Sequence, residues 1–227
     1  RLRRDRIQQA TYQVSEAVHA ADDLPSFYSR VHAIVGGLLS ARNFYLALLD
    51  PVTELITFPY FVDEFSPDVP EPRKLDTGLT GIVLRTGKSL LADREMTSHK
   101  RRVGDAVVLE GLDVPYIESG RQAAIWLGVP LASQGHAFGV MAVQDYRDSE
   151  SYGESEKQIL TFVAEQVALA ITRKRSEQAL RDSEVQHRAL FEATSQGVML
   201  HDEKSFFSVN SAAVRMLGFD SENDLLG

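Results

Sequence analysis

Six histidines, at positions 19, 32, 99, 136, 187 and 201, are the first residues to test for chemistry. Imidazole is the commonest protein metal ligand and the usual general base near neutral pH. The six are scattered with no pair at ligand spacing, so each reads as a solvated or singly bonded side chain and no metal ligand is assigned. The densest polar triplet, His201-Asp202-Glu203, falls where a strand ends in a turn. Serines are plentiful, but no Gly-x-Ser-x-Gly elbow raises one as an acyl-transfer nucleophile. Zero cysteines removes disulfides, thiolate zinc sites, iron–sulfur clusters and cysteine nucleophiles together. Gly78-x-x-Gly81 is neither a dinucleotide nor a Walker fingerprint. Gly87-Lys88-Ser89 lacks the upstream glycine of a phosphate loop, since residue 82 is Ile. No catalytic residue is predicted, and the chain is expected not to be an enzyme.

The elements that position these side chains belong to an ordinary globular chain: 227 residues, 44% hydrophobic and 25% charged. A net charge of -8 repels polyanions, which argues against nucleic acid as a partner. The basic clusters Arg1/Arg3/Arg4/Arg6, Lys100/Arg101/Arg102 and Arg173/Lys174/Arg175 stand beside acidic neighbours without interleaved aromatics, and read as solvated faces. No apolar run has the roughly 18–20 residues that span a bilayer, and the opening RLRRDRIQQA has no apolar stretch behind it. The chain starts without Met and stops at Asp-Leu-Leu-Gly, which reads as a piece of something longer whose output lies elsewhere.

Ile7, Ala10, Val14, Ala17 and Ala21 follow three-four spacing, a narrow seam suited to helix pairing. A second helix is predicted from Pro25 to about Ser40, with Phe27, Val31, Ile34, Val35 and Leu38 facing the core. Asn43–Leu49 and Leu55–Val62 read as an antiparallel hairpin around Asp50-Pro51. Strict alternation there puts Phe58 with Tyr60 on one face and Tyr45 with Ala47 on one face of the neighbour. The prolines at 67, 70 and 72 make Phe65–Asp76 a loop. Gly78 and Gly87 bracket a short helix, Leu79–Arg85, and Ser89–Ala92 returns as a strand. The polar stretch from Asp93 to Gln122 reads as a surface excursion holding one short helix. Ala124–Leu131 and Phe138–Asp145 are near-continuous apolar strands, predicted as the central pair. Their Trp126 and Gln144 each demand a hydrogen-bond partner, a ligand or a backbone carbonyl. Glu154 to about Glu192 reads as one long helix, apolar in its first half and almost without apolar residues from Thr172 to Gln178. Two short strands, Val198–His201 and Phe206–Val209, precede a helix from Asn210 to Leu217, with Asn210 as N-cap and Gly218 closing it.

This order of elements resembles the GAF sensory domain over roughly residues 10–172. The specific strings are Asp76-Thr77-Gly78-Leu79-Thr80-Gly81-Ile82-Val83-Leu84-Arg85-Thr86-Gly87 and the following Lys88-Ser89-Leu90-Leu91, then Trp126-Leu127-Gly128-Val129-Pro130-Leu131 and Gly139-Val140-Met141-Ala142-Val143-Gln144. From Ser183, SEVQHRALFEATSQGVML followed by VNSAAVRMLGF and LLG is similar to the opening of a PAS domain. The resemblance implies an α+β fold: a GAF-like central antiparallel sheet flanked by helices, a long C-terminal connector helix and a partial PAS-like segment. The expected divisions are a dimerisation helix at 1–22, the GAF-like domain at 23–172, a signalling coiled-coil helix at 173–194 and the PAS-like start at 195–227.

The resemblance also implies a cavity between the sheet and its glycine-bounded helix. Tyr45, Phe58, Tyr60, Asp63, Glu64, Tyr116, Trp126 and Gln144 are the candidates to line or gate it, each weighed against core packing or a solvated loop. Some family members reduce methionine sulfoxide or attach bilins through cysteine, routes closed to a chain without one. The cyclic-nucleotide string has no counterpart: Phe61-Val62-Asp63-Glu64 is one residue short and lacks the preceding Asn-Lys. Haem through one histidine is left open, with none singled out, and the cofactor is unassigned. Ile7, Val14, Ala21, Leu160, Val163, Val167 and Ile171 are the candidate dimer and relay positions of a homodimer joined by its terminal helices. The expected function is a cytoplasmic, non-catalytic sensor region of a two-component or cyclic-dinucleotide regulator. It binds a small ligand and relays the change through its helices to an output domain. The alternative is a ligand-free module for dimerisation and relay.

Overall fold

A computed structural model describes residues 12–17, 20–21, 23–75, 78–103, 106–109, 116, 121–202 and 205–225. Two compact units divide the chain, Arg1–Thr172 and Arg173–Gly227.

In the first unit, residues 12–17 are helical, and helix α1 (Leu24–Leu38) follows. Asp23 caps α1 by accepting from the Ser26 N–H at 2.8 Å, and Pro25 occupies its first turn, where a missing N–H costs nothing. Strands β1 (Asn43–Leu49) and β2 (Leu55–Val62) form the expected hairpin; the Asp50 carboxylate accepts the Val52 and Thr53 N–H groups in the turn. A two-residue strand, β3 (Arg73–Lys74), lies in the proline-rich segment. Helix α2 (Leu79–Thr86) stops at Gly87, whose φ of 63° a side chain would resist. Strand β4 (Leu90–Asp93) leads into α3 (Arg94–Ser98) and a small hairpin, β5 (Lys100–Val103) with β6 (Ala106–Leu109). The excursion holds the one short helix expected of it, and the hairpin is an addition beyond the predicted elements. The hairpin's sequence signal is the dipeptide Gly104-Asp105 with Val103 before it and Val107-Val108 after, hidden by the charge of β5. Strands β7 (Ile125–Ser133) and β8 (His136–Asp145) join through Gln134 and Gly135, both at positive φ as a type I′ turn requires.

Six strands form one sheet in the order β3-β2-β1-β8-β7-β4, every pair antiparallel. Both faces are covered. On one, Phe44, Leu46, Leu127, Val129, Met141 and Val143 pack against α1 and the start of α4 (Glu154–Ala193). On the other, Tyr45, Ala47, Trp126, Val140 and Ala142 pack against α2. Val14, Ala17 and Ala21 are buried in the first cluster together with Leu160, Val163, Val167 and Ile171. The seam read as a helix-pairing surface is therefore spent inside the chain: six of the seven dimer and relay candidates are core residues. Ile7 lies outside the described residues, as do Arg1, Arg3, Arg4 and Arg6.

In the second unit, Arg175–Leu190 of α4 are exposed except for Ser183. Strands β9 (Met199–His201) and β10 (Phe206–Val209) pair antiparallel, and α5 (Ser211–Leu217) follows. Asn210 is fully buried and organises this unit. Its Oδ1 accepts from the Ala213 and Val198 N–H groups at 2.9 Å, and its amide donates to the Phe191 and Gln196 carbonyls. The core beneath is Val209, Ala213 and Val214 with Leu225 against them. His201 bonds the Asp202 carbonyl, while Glu203 lies outside the described residues. No described helix is long and apolar enough to cross a membrane.

Candidate functional site

A bulge in β2 decides which side chains meet. Ala47 faces both Phe58 and Pro59, because pairing steps from Leu46 opposite Tyr60 to Leu48 opposite Thr57. Proline gives no N–H to the ladder and settles at such positions. The extra residue overturns the alternation expected from the sequence: Phe58 and Phe61 share the face of Tyr45, and Tyr60 turns to the other. There the Tyr60 hydroxyl lies 2.9 Å from His32 Nδ1 and its ring meets Phe44 edge-on. His32 is not singly bonded as expected, since Nε2 donates to the Ala41 carbonyl at 2.7 Å while the ring stacks on Phe44.

Trp126 is the one tryptophan of the chain and is 4% exposed. Its indole lies along β7 over Gly128: a Cβ at position 128 would stand 2.0 Å from Cη2. The indole N–H donates to the Tyr45 hydroxyl at 3.0 Å, which lies 2.9 Å from Thr80 Oγ1 in the first turn of α2. The partner that the buried N–H demanded is a side chain of the same face.

Asp63 gathers a second network at the end of β2. Its Oδ1 accepts from the Phe65 and Ser66 N–H groups at 2.8 and 3.0 Å, and its Oδ2 from Gln144 Nε2 at 2.8 Å and the Tyr146 hydroxyl at 2.6 Å. Four donors fill the accepting capacity of the carboxylate. Burial acts most strongly on Asp63 and pushes its pKa up, but the four bonds together hold it below the ordinary value. Burial raises the Tyr146 phenol, and the bond to Asp63 raises it further. Arg121 lays its guanidinium 3.9 Å above the Phe65 ring and 5.7 Å from that of Tyr146. Arg73 lies 5.2 Å over Phe58.

These groups enclose a cavity of about 560 Å³ between the sheet, α2 and the segments before β3 and β7. Of the eight sequence candidates, Tyr45, Phe58, Asp63, Tyr116, Trp126 and Gln144 line it. Tyr60 is on the opposite face of the sheet. Glu64 turns to Arg147, and its backbone N–H donates to Asn43. Lys100, expected on a solvated face, lies 5.3 Å over the Tyr116 ring. Sequence reasoning missed Phe61, Thr80, Tyr146, Arg73 and Arg121. Tyr146 was within reach, because it continues the alternation Ala142, Gln144 just past the end of β8; Arg73 sits in a two-residue strand and Arg121 in an irregular segment, neither long enough to carry a periodic signal. Among the described residues no three of His, Asp and Glu converge as a metal site.

A family model described as GAF domain matches residues 21–172, and one described as PAS domain matches residues 186–227. No curated protein matches the chain. The GAF domain of a phosphoenolpyruvate-protein phosphotransferase from Coxiella burnetii is 20% identical at a TM-score of 0.57, over 76% of this chain and 96% of that one. A free methionine-R-sulfoxide reductase from Neisseria meningitidis, solved with its substrate, is 15% identical at a TM-score of 0.57, over 75% and 91%. A GAF domain from A. aeolicus in an inactive state is 12% identical at a TM-score of 0.55, over 76% and 99%. At these identities the likeness is one of fold.

Proposed function

The chain belongs to the GAF domain family, and from that premise we propose that this signal-sensing regulatory module binds a small molecule in the cavity on the α2 face of its sheet. The observation that carries the reading is the cavity itself. Its volume falls in the range of about 300–1,000 Å³ common for small-molecule sites. Aromatic rings line it, and a few convergent polar groups sit among them.

A ligand has a physical route to α4. Thr80 lines the cavity on α2, and just beyond the end of α2 the Ser89 hydroxyl bonds that of Thr161 on α4 at 2.9 Å. Ligand contact with α2 biases this junction, and the shift available is the ligand's differential affinity for the two arrangements. Part of the same reading is a homodimer. With Val14, Val163 and Val167 spent in the core, it would use exposed apolar positions of α4 such as Leu180, Val185 and Leu190. Its setting is a cytoplasmic polypeptide with an output domain, and the module itself does no chemistry.

Metabolite screening by thermal shift, with native mass spectrometry of the hits, tests the ligand. Light scattering of the full chain tests the dimer. The competing reading is a ligand-free relay module. It draws support from the mutual pairing of Trp126, Tyr45 and Thr80, which leaves the indole N–H with no need of a ligand. A broad screen without a single bound species, in a protein that still dimerises, selects it.

A further inference from the structure

We infer that the cavity takes an aromatic monocarboxylate, its ring against Phe58, Phe61 and Trp126 and its carboxylate on Arg121, which rests on the ligand-site reading above. The cavity has two chemically distinct ends. At the buried end, Tyr45 and Phe58 meet edge-on at 5.8 Å, Phe61 closes on both, and the indole of Trp126 lies alongside. The polar atoms of this end are already paired: the indole N–H donates to Tyr45, and Tyr45 pairs with Thr80. Such a surface offers ring faces and edges but few groups to read the heteroatoms of a nucleobase, so it selects an apolar aromatic ring.

The other end is exposed and presents the guanidinium of Arg121. Arg121 spends the flat face of its guanidinium on Phe65, which leaves its N–H donors in the plane of the fork, the geometry that grips a carboxylate with two parallel bonds. Arg73 also lines the cavity, but over Phe58 and thus at the aromatic end. A cluster of aromatic rings also attracts ligand cations, but here protein cations already hold the rings: Arg73 over Phe58, Arg121 over Phe65 and Lys100 over Tyr116. The two lining carboxylates keep their charge but are engaged by the protein. Asp63 is saturated by four donors, and Asp93 caps α3 by accepting the Met96 N–H. A ligand ammonium would meet repulsion with no open carboxylate at Asp63.

The single tryptophan makes the test direct. Phenylacetate, its neutral isostere phenylacetamide, the cation phenylethylamine and cyclic AMP are titrated against the full chain at low salt, following Trp126 fluorescence and binding heat. Phenylacetate is expected to bind saturably and at least about tenfold more tightly than the amide, the margin of a charge-assisted pair. The R121Q variant, at an exposed position, should bring that ratio close to one, with the acid losing far more affinity than the amide. Equal binding of acid and amide, preference for the amine or cyclic AMP, or an unaltered ratio in R121Q overturns the carboxylate assignment. If the amide, amine or nucleotide binds saturably and the acid does not, the cavity stands as a ligand site and only its class falls. If none of the four binds and the metabolite screen is also empty, both fall.

Discussion

Replacing Gly128 by alanine should force the indole of Trp126 out of its place. The added methyl would stand 2.0 Å from Cη2, 2.6 Å from Cζ2 and 2.7 Å from Cζ3, separations that no side chain tolerates. Leu90 on β4 and Ala142 on β8 flank Gly128 in the sheet, so the backbone cannot step aside without breaking two ladders. The ring must therefore rotate, and its N–H leaves Tyr45. Overpacking of a core costs about 1–3 kcal/mol and a lost buried hydrogen bond about 1 kcal/mol, so G128A should lose roughly 2–4 kcal/mol. For a chain of this size that lowers Tm by roughly 5–15 °C. The three crowded atoms all belong to the indole's six-membered ring, and phenylalanine at 126 withdraws that overlap. In a W126F background, G128A should cost less than about 1 kcal/mol, a coupling of more than about 1 kcal/mol between the two positions. Urea denaturation followed by circular dichroism measures all four variants, and G128A alone should also red-shift the tryptophan emission. A G128A protein within about 0.5 kcal/mol of the parent, or one equally damaged with and without Trp126, would refute the packing described for this face.

Asn210→Ala removes four hydrogen bonds from a fully buried amide and should destabilise the second unit by about 2–4 kcal/mol, read as lost hydrogen-exchange protection across residues 199–217. Asp63 has its folded pKa below the ordinary 3.8, so its contribution is complete above about pH 4 and lost as pH falls through the folded value. Asp63→Asn should flatten the acid limb of the stability profile, below the ordinary carboxylate value of 3.8; an unchanged profile counts against the four-donor arrangement. Tyr146 and Tyr152 are both raised, first by burial and then by Asp63 and Asp145 respectively. Their contribution is full below the ordinary value of 10.0 and lost as pH rises above it, so an ultraviolet titration should show them ionising last, together with unfolding.

Local physics made much of this molecule legible before any coordinates. Strand period, helix period, Asn210 and Gly218 as caps and Gly87 as a stop each act within a few residues, and a linear chain displays them openly. The small hairpin after α3 escaped because the charge of Lys100, Arg101 and Arg102 hid its strand pattern. Six of eight cavity candidates line the cavity, and three of them, Tyr45, Trp126 and Gln144, were within reach because they lie on long strands whose faces alternate there. What only the tertiary structure decided is how distant segments register. One bulged residue beside Pro59 sends Tyr60 to His32 and brings in Phe61, and no window of sequence around it states which way the strand will turn. A helical seam looks the same whether a partner chain or the chain's own sheet will cover it, and Val14 with Val167 went to the sheet. Asp63 meets Gln144 and Tyr146 across more than eighty residues because β1 lies between β2 and β8. Strand order is settled by burying two apolar faces at once, a global minimum that the local pattern permits and does not select.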